Sequence, residues 1–302
     1  MNNASASIES GALSALLPPV SDRRKVLPQY LLPKRGLTAF AGRVASRERG
    51  ATTTRLVRWF VRKYGVDMSE AAVPDIAAYA SFNDFFTRAL HDGARPLAQA
   101  DLICPVDGTI SQFGRIEQDQ IVQAKGHRYS TSALVGGDRT LAERFQDGSF
   151  ATLYLSPKDY HRIHMPCDGT LLRMIHVPGA LFSVNPTTAR GVPGLFARNE
   201  RVVCVFESKA LGTFVLTLVG ATIVGSMATV WHGTVNGPRV RRIREWNYGA
   251  DAVALEQGEE MGRFMLGSTV VLLFPKTGLA FNPEWQPGRP IQLGEAMADL
   301  RA

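Results

Sequence analysis

Residues 211–231 read LGTFVLTLVGATIVGSMATVW, a run without one charged side chain and long enough to cross a bilayer as a helix. How it is read decides the fold. It contains three Gly and four Thr among β-branched residues, and Gly220 and Gly225 cut it into short pieces. Those features suit two buried strands joined by a turn better than a membrane-spanning helix. Runs of similar texture lie on both sides of it, at 109–116, 150–155, 170–177, 202–207, 213–219, 223–235 and 264–274, with Gly, Pro and Asn turns between them. A short helix is expected near 141–145.

Upstream of residue 98 the pattern is helical. Residues 1–20 are rich in Ser and Ala and end near a Pro pair, so they read as a loose tail, and no basic start followed by an apolar run marks a secretory signal. Residues 54–64, TRLVRWFVRKY, place Leu56, Val57, Phe60, Val61 and Tyr64 at helical spacing, with Arg55, Arg58 and Arg62 on the opposite side. Such a helix can lie with its apolar face in a lipid interface, or pack on the protein and leave a solvated basic face. SFND (81–84) opens a second helix with a capping-box-like pattern, and Phe82, Phe85, Phe86 and Leu90 form a stripe that reads as core. The expected architecture is α+β: a helical region over 1–97, then a β-rich body over 98–302.

Charge divides earlier, inside the helical region. The chain of 302 residues carries a net +7, yet the segment through Gly65 has twelve Lys and Arg against three acids. That makes +9 there and −2 over the remainder, so the basic excess is entirely N-terminal and points to an anionic partner. A membrane surface fits better than nucleic acid, since no nucleic-acid-binding motif accompanies the charge. Cys104, Cys167 and Cys204 show no metal-binding or redox spacing and read as small buried hydrophobes.

Three polar clusters sit in the β-rich body. PVDG (105–108) contains Asp107, and Asp-Gly after a strand is usually only a turn. YHRIHMP (160–166) contains His161 and His164, three apart between Pro157 and Pro166. No HExxH-type partner or helix makes them metal ligands, and a lone histidine is more often structural than catalytic. FMLGSTVVLLF (264–274) sets Gly267, Ser268 and Thr269 in an apolar strand, where a bulge with backbone-bonded hydroxyls is the ordinary explanation. Together Asp107, His164 and Ser268 supply an orienting acid, a base and a hydroxyl nucleophile. The residues by themselves leave open a Ser-His-Asp hydrolase, although no nucleophile elbow is present, and a non-catalytic membrane-binding protein.

A family resemblance narrows this. QYLLPK (29–34), SFNDFFTR (81–88), PVDG (105–108), QAKGHRYS (123–130), LSPKDYHRIHMPCDG (155–169), LFSVNP (181–186), LFARNERV (195–202), VGATIVGS (219–226) and GRFMLGSTV (262–270) follow one another as in the long-form bacterial phosphatidylserine decarboxylases, which the chain resembles over most of its length. The resemblance implies a proenzyme that cuts itself between Gly267 and Ser268, giving a β chain (1–267) and an α chain (268–302). It implies that Asp107 and His164 form a triad with Ser268, and that Ser268 becomes an N-terminal pyruvoyl group. That cofactor forms a Schiff base with the amine of phosphatidylserine and draws electrons as carbon dioxide leaves, yielding phosphatidylethanolamine. His161 resembles the residue implicated in protonating the product. Implied partners are phosphatidylserine, an anionic membrane surface, the sister chain of the same precursor and a second processed unit in a homodimer. The implied location is peripheral, on the cytoplasmic side of the inner membrane.

Overall fold

The structure is a computed structural model that describes residues 20–124, 126–222, 226–237, 241–249, 253–265 and 269–301. Most of the expected tail and the stretch Leu266, Gly267 and Ser268 lie outside the described residues.

The apolar runs form one large antiparallel sheet. Its order is Arg244–Asn247, Gly169–Val177, Arg201–Ser208, Gly212–Val219, Thr269–Phe274, Ser149–Tyr154, Gly108–Arg115 and Pro290–Ile291, with Val253–Leu255 also paired to Gly169–Val177. Thr269–Phe274 is central, paired to Ser149–Tyr154 on one side and Gly212–Val219 on the other. All six of its residues are buried. Side chains alternate between faces along a strand, so Val270, Leu272 and Phe274 enter one apolar core while Val271 and Leu273 enter a second. Gly212–Val219 does the same: Phe214, Leu216 and Leu218 face the first core, Val215 and Val219 the second. A strand covered on both faces has no polar side, and this is why 211–219 looks like membrane sequence. The latter half of that run supplies a second short strand, Met227–Thr229, in another sheet. Among the described residues, no helix is long and apolar enough to cross a membrane.

The second sheet matters more for chemistry. It has the order Gly233–Thr234, Met227–Thr229, Glu260–Phe264 and Arg162–His164. The expected single strand 264–274 is therefore two: its beginning closes Glu260–Phe264, and its remainder is the central strand of the large sheet. Gly262 faces Ala228 so closely that a Cβ there would lie 2.5 Å from the Ala228 carbonyl oxygen, so no larger residue fits. The short helix expected near 141–145 is Arg139–Glu143, capped by Asp138, whose carboxylate accepts from the Leu141 amide at 2.9 Å. The three cysteines are free and buried.

Several of the quoted segments meet in space. Tyr30 packs edge-on against Phe182, and the Gln29 side chain accepts from the Ser183 amide at 3.0 Å. Asn199 donates to the carbonyls of Phe182 and Gly220. Gln123 is buried, donating to Ala189 and Val192 carbonyls and accepting from the Leu195 amide.

The N-terminal region is helical: Val20–Val26, Pro28–Leu31, Lys34–Ala45 and Ala51–Tyr64. The last ends on Gly65 in the left-handed conformation, φ 67°, which favours glycine. The helix Phe82–Phe86 is capped by Ser81, whose hydroxyl accepts from the Asp84 amide at 3.1 Å. The structure separates the two readings of this helix. The apolar face of Ala51–Tyr64 is not free for lipid, because Phe60 packs edge-on against Phe82, Phe85 and Phe86, with Val57 buried beside it. What this helix exposes is its basic face, Arg55, Arg58, Arg62 and Lys63, together with half-exposed Trp59. Exposed apolar side chains lie instead upstream, at Leu27, Tyr30, Leu31, Leu32, Leu37 and Phe40.

Candidate active site

The two histidines follow the turn that takes the chain from the large sheet, left at Tyr154, into the small one, entered at Arg162. Asp159 shapes that turn by accepting from the Ser156 amide at 2.6 Å. His161 stands just before the strand Arg162–His164, and its carbonyl accepts from the Phe264 amide at 3.0 Å. The pairing of that strand with Glu260–Phe264 slips between Glu260 and Gly262. An irregular register lets residues three apart escape strict alternation.

Both rings are oriented by main-chain carbonyls. His161 Nδ1 lies 2.7 Å from the Asp159 oxygen, and His164 Nδ1 lies 2.8 Å from the Gly258 oxygen. A carbonyl only accepts, so each Nδ1 carries the proton and each Nε2 presents a lone pair. His164 Nε2 accepts from the Tyr160 hydroxyl at 3.1 Å. Among the described residues His161 Nε2 is buried without a partner, an acceptor in a ring that is 0% exposed. Burial pushes His161 down to about 3, opposed by the Asp159 bond and reinforced by the Arg88 cation. Burial also lowers His164, while the Gly258 bond, Glu260 and Asp107 pull the other way. Burial raises the Tyr160 phenol to about 12. Both imidazoles are thus neutral bases at physiological pH.

Asp107 is near this pair but does not bond to either ring. Its carboxylate accepts from Arg95 Nε at 3.0 Å and Arg95 Nη2 at 2.7 Å, and from the Leu293 amide at 2.9 Å. Arg95 also binds Glu70. Asp107 acts on His164 through space, and the His164 amide donates to the Pro105 oxygen two residues before Asp107. The Asp-Gly pair is more than a turn here: Asp107 is 7% exposed, and a Cβ on Gly108 would lie 2.4 Å from the Tyr154 carbonyl oxygen.

Leu266, Gly267 and Ser268 lie outside the described residues, and the chain is described up to Met265 and from Thr269. The Met265 amide donates to the Ser226 oxygen, next to the Phe264–His161 bond. Thr269 is buried between Tyr154 and Val219 in the central sheet. The family model for phosphatidylserine decarboxylase matches residues 82–299, and a second, described as PSD, matches residues 24–65. The chain belongs to the phosphatidylserine decarboxylase family. The phosphatidylserine decarboxylase proenzyme of Dechloromonas aromatica is 72% identical over 278 residues, 92% of this chain and 98% of that protein. That of Variovorax paradoxus is 74% identical over 281 residues, 93% and 99% of the two chains. As a member of the family, the chain is an enzyme that decarboxylates phosphatidylserine.

Arg95, Tyr160, Gly258 and Phe86 escaped the sequence reading of this site. Tyr160 stood inside a quoted motif and carried a signal. Arg95 and Gly258 lie in unremarkable loops and become site residues only through folding.

Proposed function

We propose that this decarboxylase is made as a proenzyme that cuts itself between Gly267 and Ser268, and that Ser268 becomes the pyruvoyl group on which it depends. His164 Nε2 takes the proton of the Ser268 hydroxyl, the oxygen attacks the Gly267 carbonyl, and the peptide bond gives way to an ester that then eliminates. The negative charge of Asp107 favours the imidazolium that forms. The observation that carries this reading is the split of 264–274 between two sheets. The small-sheet strand ends at Phe264, whose amide bonds the His161 carbonyl, and the central strand of the large sheet begins at Thr269, so the described ends on either side of the cleavage point belong to different sheets.

The same topology supports two chains that stay together after scission. The fragment 268–302 would keep Thr269–Phe274 between two strands of the larger fragment, and Ala296–Leu300 paired to Leu102–Ile103.

A pyruvoyl group supplies a carbonyl for the substrate amine and an electron sink for loss of the carboxylate. The buried Nε2 of His161, without a partner among the described residues, fits a site for such a group, since a buried polar atom calls for one. His161 Nε2 would take a proton from the substrate ammonium and return it to the product carbon after the carboxylate leaves. Its enclosure by buried side chains excludes competing water.

For the membrane, we assign contact to the exposed apolar residues between Leu27 and Phe40, and electrostatic attraction to Arg55, Arg58, Arg62 and Lys63 beside Trp59. Attachment is peripheral, on the cytoplasmic face of the inner membrane. Within the helical region 1–97 the residues up to Lys63 serve that attachment, and 98–302 carries the reacting groups.

Intact-mass analysis under denaturing conditions tests the central point. The expected result is one fragment ending at Gly267 and one beginning with a pyruvoyl group, with Ser268→Ala remaining a single inactive chain. An active wild-type enzyme that stays uncut, and reacts at Ser268 with phosphonates, would instead be a Ser-His-Asp hydrolase.

A further inference from the structure

The segment SFNDFFTR (81–88) takes no part in the reaction as described, and its aromatic stripe is core. Its last three residues do more than pack. The Phe86 ring lies against the His161 ring, with centroids 4.1 Å apart and planes at 46°. Arg88 Nη2 donates to the Lys158 carbonyl at 3.3 Å, and Arg162 Nε donates back to the Thr87 carbonyl at 2.9 Å. These reciprocal bonds tie residues 87–88 to both ends of the 158–162 segment, with His161 between them. Arg88 is 5% exposed and its Nε has no partner among the described residues, an arrangement that packing alone does not call for.

We propose that Phe86 and Arg88 are positioning residues for His161, holding its Nε2 in the geometry that decarboxylation needs while leaving self-cleavage to His164. This rests on the assignment of decarboxylation to His161 and cleavage to His164 made above. The physical reason is the weak hold of the backbone at residue 161. His161 precedes its strand, and among the described residues its main chain is held by the bond from Phe264. An imidazole so attached needs its side-chain angles set by neighbours, and a small misplacement of a reacting group costs up to ~10²-fold in rate. Asp159 orients the ring in its plane, and Phe86 confines it from the side. Arg88 is the charged group that acts on the ring. Asp159 turns its carboxylate to the Ser156 amide, and Arg162 pairs with Glu260. A cation there opposes imidazolium and keeps the lone pair available.

The experiment uses the full-length enzyme with Phe86→Leu, Arg88→Gln and Arg88→Lys, and with Phe82→Leu as a packing control in the same helix. Self-cleavage is read by mass, and kcat and KM are measured on phosphatidylserine in micelles across pH. All four variants should cleave to completion. Phe86→Leu and Arg88→Gln should lose about 10- to 100-fold in kcat with little change in KM. The acid limb of kcat should move to higher pH in Arg88→Gln and return in Arg88→Lys. Phe82→Leu should lower the melting temperature without moving that limb. Wild-type kcat and pH limb in both Phe86→Leu and Arg88→Gln would overturn the proposal. So would parallel loss of cleavage and turnover in all four variants, which marks a packing defect. His161→Ala, run alongside, separates the two ideas: normal turnover in that variant would sink the assignment of His161 itself.

Discussion

The Gly258 carbonyl oxygen, 2.8 Å from His164 Nδ1, holds that ring, and Asp107 does not. Asp107 is bound to Arg95 and acts on His164 only through space. A base whose tautomer is fixed by a main-chain carbonyl keeps its orientation when the acid is changed. Asp107→Asn should therefore slow self-cleavage by removing charge, and less severely than loss of the base itself.

The two histidines should separate cleanly. His164→Ala should leave uncut precursor, because the Ser268 hydroxyl is a poor nucleophile without a base. His161→Ala should be cut and carry pyruvoyl, yet release carbon dioxide ~10²–10⁴-fold more slowly. Denaturing gels and carbon dioxide release check this, and the opposite pattern would exchange the two roles.

Arg95 bridges two carboxylates, and its own side chain is 8% exposed. Removing one partner of a buried pair strands the other charge. Arg95→Gln in an uncut Ser268→Ala background should cost about 3 kcal/mol in urea unfolding. Glu70, 34% exposed, should cost less than about 1 kcal/mol when changed to Gln. Equal losses would show that Asp107 gains nothing from the bridge.

Stability should fall on acidification before the carboxylates titrate. An unfolded histidine takes up its proton near pH 6.5, whereas folded His161 does so only near 3. The folded state then binds fewer protons, so its stability is highest above 6.5 and declines as pH falls toward 3. The decline is roughly 1.4 kcal/mol per pH unit for a histidine held neutral. His161→Gln in the Ser268→Ala background should flatten the slope between pH 6.5 and 4.5, measured by urea unfolding.

Membrane binding should have two separable parts. Arg55, Arg58 and Arg62 changed together to Gln should weaken binding to anionic vesicles at low salt and leave self-cleavage intact. Leu31→Ser with Phe40→Ser should weaken the part that persists at high salt, as both side chains are largely exposed. Unaltered sedimentation with vesicles in the triple variant would show that the basic face is merely solvated.

The sequence by itself determined most strands of the large sheet, the helices near 54–64, 82–86 and 141–143, the Ser81 cap, the buried cysteines and the family. Each rests on short-range chemistry: alternation along a strand, periodicity on a helix, a hydroxyl at an N-cap, or an ordered set of motifs. It also carried the ambiguity of 211–219, since a strand covered on both faces and a membrane span share an apolar composition. Only the tertiary structure decided that 264–274 divides between two sheets, because both halves are equally apolar and the break depends on which neighbours each pairs with. It likewise decided that Phe60 turns inward onto Phe82, Phe85 and Phe86, so that the lipid-facing apolar residues lie upstream of the amphipathic helix. And it decided the partners of the site: Gly258 for His164, Arg95 for Asp107 and Phe86 for His161 are 94, 12 and 75 residues away along the chain. Contacts across such distances leave no local pattern, since folding brings them together through sheets whose pairing no single segment encodes.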